Sequence, residues 1–221
     1  SRLGLEFLGA AFSHQLSFMR TSTDRQDFTA SAPTFGSQGE QTRGEYIGSA
    51  TALDGVDLIW GFDYQKDEAN GLGRKNQGAF IELLSDFSHA FFLTAGMRYD
   101  DNEDFGTNTS FRLSTAYLFE TELGTLKFKA ALGSGFRAPS PYEIQYNRGP
   151  YAFAPATEGP IVQEESKGWE VGAQFNTEEL HLEAIVFDQS VSNAIYFDLL
   201  NYSGYLQDKG RSASSGIELI A

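Results

Sequence analysis

Two stretches of this chain hold side chains whose type and spacing could bind something. The run Asp100-Asp101-Asn102-Glu103-Asp104 concentrates oxygen ligands of the kind calcium takes roughly six to eight at a time. It lacks the spacing and central glycine of an EF-hand loop, so a solvated turn is the plainer reading, and Asp100, Asp101 and Asp104 stand as weak metal candidates only. The second stretch, Ala138 to Glu165, carries Tyr142, Tyr146, Arg148, Tyr151 and Phe153 among Pro139, Pro141, Pro150, Pro155 and Pro160. Long connections without regular structure are usually functional or disordered. Tyrosines in such a loop offer rigid amphipathic surface that can pack on a flat ligand and still hydrogen-bond. These five side chains are the ligand-contact candidates; the alternative is a solvated cap.

Catalytic chemistry finds little to work with. His14, His89 and His181 are the only histidines, and none lies within metal-ligand spacing of another. Ser134 sits inside a Gly-x-Gly element but lacks the Gly-x-Ser-x-Gly pattern and any following helix, so it is not a nucleophile elbow. Gly71-Leu72-Gly73-Arg74-Lys75 reads as a hairpin tip rather than a phosphate loop. With no cysteine there is no disulfide framework and no thiolate metal site. A net charge of −14 argues against nucleic acid, because phosphate neutralisation needs clustered Lys and Arg. Neither an enzyme nor a cofactor is expected.

The elements that must position these residues alternate with period two. Val56, Leu58, Trp60, Phe62 and Tyr64 oppose Asp57, Ile59, Gly61 and Asp63. Phe91, Leu93, Ala95, Met97 and Tyr99 oppose Phe92, Thr94, Gly96, Arg98 and Asp100. A largely apolar row faces a small or charged row on nearly every strand. No apolar run reaches the roughly 18 residues of a spanning helix, and no helix is expected; Glu178 to Asn193 keeps period two and reads as strand. Short connections at Asp54-Gly55, Ser85–His89, Thr121–Gly124 and Asn176–Glu179 take turns with long ones at Asp24–Gln41, Asp67–Asn76, Asp100–Thr107, Ala138–Glu165 and Asp198–Arg211. Asp54-Gly55 fits a type I′ hairpin, which needs positive φ at both central positions. Tight turns at one end and long loops at the other describe an up-and-down transmembrane barrel, and the aromatic content of 14% would supply its interfacial girdles.

One run ties this pattern to a family. In Lys127 to Glu143 (KFKAALGSGFRAPSPYE), Phe128, Ala130, Leu132 and Phe136 share one face, and Lys127, Lys129, Gly133, Gly135 and Arg137 the other. Pro139 marks where the strand leaves its sheet, since proline cannot donate to a ladder. The elements Gly135-Phe136-Arg137-Ala138-Pro139, Glu165-Ser166 and Trp169-Glu170 closely resemble the signature region of TonB-dependent outer-membrane receptors. Prolines usual in that family before the Trp-Glu element are absent from Ile161 to Glu165.

The resemblance implies an all-β, antiparallel barrel of about 22 strands closed by a plug, of which this chain would hold about a dozen. It also implies cargo such as a ferric siderophore, haem or cobalamin, energy from the TonB complex, outer-membrane lipid around the wall, and the outer membrane of a Gram-negative cell. Residues 1–221 are expected to be a barrel fragment without its plug and barrel termini, since the chain opens and stops within strand pattern. The motif residues are expected to act structurally at the wall. A passive porin or other outer-membrane barrel, and a soluble carbohydrate-binding β-sandwich, are the competing readings; the sandwich requires the apolar rows to be core.

Overall fold

Period-two alternation becomes a single meander. In a computed structural model the described residues are 1–69 and 71–221, the side chain of Phe35 excepted. Strands β1 (Arg2–Leu8), β2 (Phe12–Thr29), β3 (Ala32–Leu53), β4 (Val56–Ala69), β5 (Leu72–Phe87), β6 (Phe91–Asn102), β7 (Gly106–Thr121) and β8 (Gly124–Arg137) follow one another. Helix α1 (Pro141–Arg148) comes next, then β9 (Glu164–Asn176), β10 (His181–Ser192), the short pair β11 (Ile195–Phe197) and β12 (Tyr205–Gln207), and β13 (Arg211–Ile220). Eleven strands form one sheet in the order β1-β2-β3-β4-β5-β6-β7-β8-β9-β10-β13, each antiparallel to its neighbours, while β11 and β12 pair separately. The chain is thus a partial, unclosed barrel wall.

The two faces of this wall obey opposite rules. Phe62, Met97, Phe128 and Val171 are all at least half exposed on the outer rows, whereas Asp63, Asp100 and Asn102 are about 5% exposed or less on the inner ones. A soluble domain buries its large apolar side chains and exposes its carboxylates; here the arrangement is inverted, which is what a strand in lipid with a wet interior requires. No second layer covers the outer apolar rows among the described residues, so the sandwich reading is overturned. The short turns are flanked by stacked rings, Phe7 with Phe12 at 6.2 Å and Phe87 with Phe91 at 6.0 Å, where an interfacial girdle belongs. No helix among the described residues is long and apolar enough to cross a membrane, which says nothing of crossing by strands.

The inner face is organised by charge. Arg98 bridges Asp63 at 2.7 Å and Asp100 at 2.7 Å, spanning three strands. It does so by lying across Gly78, where a Cβ would come within 1.9 Å of Nη2. Lower on the wall Lys129 reaches Glu183 across Gly172. Glycine on the inner row therefore makes room for a neighbour's long cation.

Five expectations need correction. The stretch Asp24–Gln41 is not a loop: β2 and β3 continue as a tall hairpin of 18 and 22 residues, well beyond the ~9–11 needed to cross a bilayer. Its polar, Gly- and Ser-containing sequence resembles loop, but ladder bonds with a partner strand hold it extended. The stretch Asp100–Thr107 is likewise mostly strand, with only three residues between β6 and β7; Asp67–Asn76 is not a long loop either, since residues 67–69 belong to β4 and 72–76 to β5, while Asn70 lies outside the described residues. The Asp54-Gly55 turn has positive φ at Gly55 alone (+70°) and a bulge in the register between Thr51 and Leu53. Paired positive φ occurs instead at Ala30-Ser31 (49° and 68°) and Ser88-His89 (58° and 55°), where strand twist outweighs the steric preference of those residues. Finally, the expectation of no helix fails at α1.

Candidate functional site

The helix arises from a local signal inside the proline-rich stretch. Ser140 caps it by accepting from the Glu143 backbone N–H at 3.2 Å, Glu143 returns a bond to the Ser140 N–H at 2.6 Å, and Pro141 occupies the first turn. Ser-Pro-Tyr-Glu is therefore a capping box with proline where a missing N–H costs nothing. Arg137, the last residue of β8, holds this start in place. It makes a two-pronged pair with Glu164 (2.7 and 2.9 Å) and reaches both oxygens of Glu143 at 3.2 Å.

The motif residues thus gather at one place. β8 and β9 are neighbours, with Gly135 opposite Ser166, Phe136 opposite Glu165 and Arg137 opposite Glu164. The Ser166 hydroxyl donates to the Gly135 carbonyl at 3.3 Å, Trp169 is half exposed on the outer rows, and Glu170 lies on the inner face opposite Ala131. Ala138 carries the chain out of the sheet to Pro139, which is fully buried and whose carbonyl accepts from Arg74 on β5. The segment after β8 is therefore folded back over the loop end of β4 and β5.

Two loops then pack on each other. Asn147 donates to the carbonyls of Ala156 (3.1 Å) and Tyr205 (2.7 Å) and accepts from the Tyr205 N–H (2.8 Å), so one side chain stands in for a strand partner. Gly204, at φ +138°, makes this approach possible; a Cβ there would lie 2.7 Å from the Asn147 Oδ1. Around that contact Tyr142, Tyr146, Phe197 and Tyr205 pack mainly edge to face, with centroids 5.2 to 6.3 Å apart. Burial raises the Tyr205 phenol above its ordinary value.

Asp198 organises the second loop. Its carboxylate accepts from the Ser203 hydroxyl at 2.7 Å, from the backbone N–H groups of Asn201 and Leu200, and from the Asn201 amide. These donors hold its carboxyl down at about 2, the Ser203 bond contributing most. The result is a rigid tip that presents Leu199, Leu200 and Tyr202 to solvent.

Of the sequence-derived ligand candidates, Tyr142 and Tyr146 sit in the aromatic cluster, Tyr151 and Phe153 are exposed on the connection that follows, and Arg148 borders a cavity. That cavity, about 480 Å³, lies between α1 and the tips of β5 and the β6–β7 hairpin, with Arg74, Asp104, Phe105, Ile144 and Asn147 on its walls. The acidic candidates are not brought together. Strand alternation sends Asp100 inward, onto Arg98 and the Asn76 amide (2.9 Å), and leaves Asp101 exposed on the other face. Asp104 borders the cavity; among the described residues no group of three or more His, Asp or Glu could hold a metal ion. Arg74 and Asn147 were not legible as site residues, because partners of theirs lie 65 and 58 residues away along the chain, whereas Asp198 is held by Leu200, Asn201 and Ser203 within its own loop; Ser140 and Glu143 likewise carried a readable local signal.

Comparison with known proteins agrees with this architecture. The model of the TonB dependent receptor-like β-barrel family matches residues 2–221. The chain belongs to that family, the receptors whose barrels the motif region resembles. It is 28% identical over 140 residues to the vitamin B12 transporter BtuB of Photobacterium profundum, an alignment covering 60% of this chain and 21% of that one. A shorter match to the Vibrio cholerae vitamin B12 transporter BtuB is 35% identical over 74 residues, 34% of this chain and 11% of that one. Among solved structures, the siderophore receptor PirA of Pseudomonas aeruginosa superposes with a TM-score of 0.76 at 17% identity, covering 99% of this chain and 46% of that one. The copper transporter OprC gives 0.69 at 18%, covering 99% and 42%. The chain therefore spans less than half of the solved structures it matches and a smaller share of the curated relatives, and at these identities the structures speak for the fold alone.

Proposed function

We propose that residues 1–221 are part of the barrel wall and loop cap of an outer-membrane receptor that takes up a scarce nutrient with TonB energy, its plug and remaining strands lying outside this chain. The observation that carries the reading is the pairing of an inside-out wall with a packed cap over one end of it. Lipid would meet the outer rows of Phe62, Met97, Phe128 and Val171, cargo would meet the cap, and the plug would face the charged inner rows. A ferric siderophore, haem or cobalamin fits the family, and the aromatic surface of Tyr142, Tyr146, Tyr151 and Phe153 suits any of these flat or ring-bearing cargoes. Uptake of this kind needs no covalent chemistry and no resident cofactor from the barrel wall.

Deletion of the full gene in a Gram-negative host tests this. Loss of growth under iron or cobalamin limitation, rescued by the intact gene only when TonB is present, is the expected result. Rescue without TonB, together with steady ion conductance of the purified barrel in planar bilayers, would mean a passive porin instead.

A further inference from the structure

The cavity beneath α1 contains a charge without an answer. Arg74 is 9% exposed, yet no carboxylate lies within ion-pair distance of it among the described residues; its partners are the Pro139 carbonyl and the ring of Phe105, 5.8 Å from the guanidinium carbon. Arg148, at the last turn of α1, borders the same cavity and also has no ion pair among the described residues. Asp104 shares the walls but is exposed and beyond ion-pair distance of both. In a chain with 30 acidic and 16 basic residues, a buried guanidinium that pairs with none of the carboxylates is a costly arrangement.

The cost is met if an anion completes the site. A guanidinium offers five N–H donors in a planar fork, and the Pro139 carbonyl uses the donor on one of its nitrogens, leaving others for a two-pronged contact with carboxylate- or catecholate-type oxygens. The Phe105 ring lies over one side of the guanidinium, 5.8 Å from its carbon, and Ile144 gives the cavity an apolar wall for the body of a ligand. At about 480 Å³ the space holds one such group and the ring that bears it, within the usual range of ligand pockets.

We propose that this cavity selects an anionic cargo, holding one of its oxygen groups between Arg74 and Arg148 against the face of Phe105. The proposal rests on the receptor reading above and narrows it: neutral cargo would leave Arg74 buried and unanswered.

The full-length receptor in detergent, titrated with a ferric tris-catecholate, with ferric citrate and with neutral cyanocobalamin while tryptophan fluorescence is followed, tests it. The anionic complexes are expected to bind, more weakly as salt is raised. Arg148→Gln and Arg74→Gln should each weaken them roughly ten- to a hundredfold, with Arg74→Lys in between. Arg148 is exposed at a helix end, so its variant keeps the test valid if Arg74→Gln does not fold. Cyanocobalamin binding in preference to both anions, or anion affinity unchanged in both Gln variants, would overturn the anionic assignment while leaving the receptor reading intact. A receptor that binds none of the three and whose loss has no growth phenotype would sink both.

Discussion

The wall and the cap of this molecule are built on opposite principles. In the wall, side chains contribute little burial: the backbone ladder joins every strand from β2 to β10 of the sheet on both sides, large apolar residues stand outward, and the buried positions go to Asp63, Asp100, Asn102 and Ser85. In the cap, the reverse holds. Pro139, Ala156 and Ser203 are buried, aromatic rings pack edge to face, and side chains such as Asn147 and Asp198 replace ladder bonds. The wall's outer apolar rows have no protein partner among the described residues and on the proposed reading would find theirs in the membrane, whereas the cap supplies its own, as a small soluble domain does. The side-chain contacts of the cap can therefore change without disturbing the ladder of the wall.

The sharpest break of this contrast is a charge on the outer face. Phe62→Arg, near the middle of β4, should destabilise the full-length receptor in bilayers by about 2–4 kcal/mol, while Ser114→Lys on the inner rows should stay within about 0.5 kcal/mol. Denaturant titration of both variants in liposomes measures the difference, and equal costs would mean that the faces have been assigned wrongly. Next is Arg98→Leu, which strands two buried carboxylates. Because its guanidinium side is about one-third exposed (32%), the expected loss is about 2–3 kcal/mol rather than the full cost of breaking a buried pair. Adding Asp63→Asn and Asp100→Asn should recover part of it in the same titration.

The cap should respond separately. Asn147→Ala removes three bonds to backbone groups and should cost about 1–2 kcal/mol locally. Hydrogen exchange would show faster exchange at Tyr205 with β3–β6 unchanged; protection lost throughout the wall would contradict the independence of the two regions. Ser140→Ala, which loses the helix cap, should cost about 1 kcal/mol and raise exchange in α1 alone.

Acid gives the gentlest probe. Asp198 has its folded value at about 2 against an ordinary 3.8, so its contribution is fully present above the ordinary value and fades as pH falls through about 2. Limited proteolysis between pH 4 and pH 2 should open the 193–210 loop before the wall, and Asp198→Asn should remove that window. A wild-type loop that resists proteolysis at pH 2 as well as it does at pH 4 would remove Asp198 from its organising role.

Much of the wall could be read from residue order. The rows through Trp60, Phe62 and Tyr64, the exit at Pro139 and the strand within Glu178–Asn193 all follow from period two and from what proline cannot donate. The tall β2–β3 hairpin was missed because Thr, Ser, Gly and Gln are as common in loops as in strands that protrude into water; only the partner strand decides between them. Helix α1 was hidden by the prolines around it, although Ser140, Pro141 and Glu143 together spell a helix start.

What the sequence determined by itself was the wall: alternation acts between adjacent residues, so which side chains share the outer face and which the inner one is settled locally. The cap and its cavity were decided only in three dimensions. Asn147 meets Tyr205 across 58 residues and Arg74 meets Pro139 across 65, contacts that no local pattern encodes. A buried guanidinium becomes visible as such only after distant segments have closed around it.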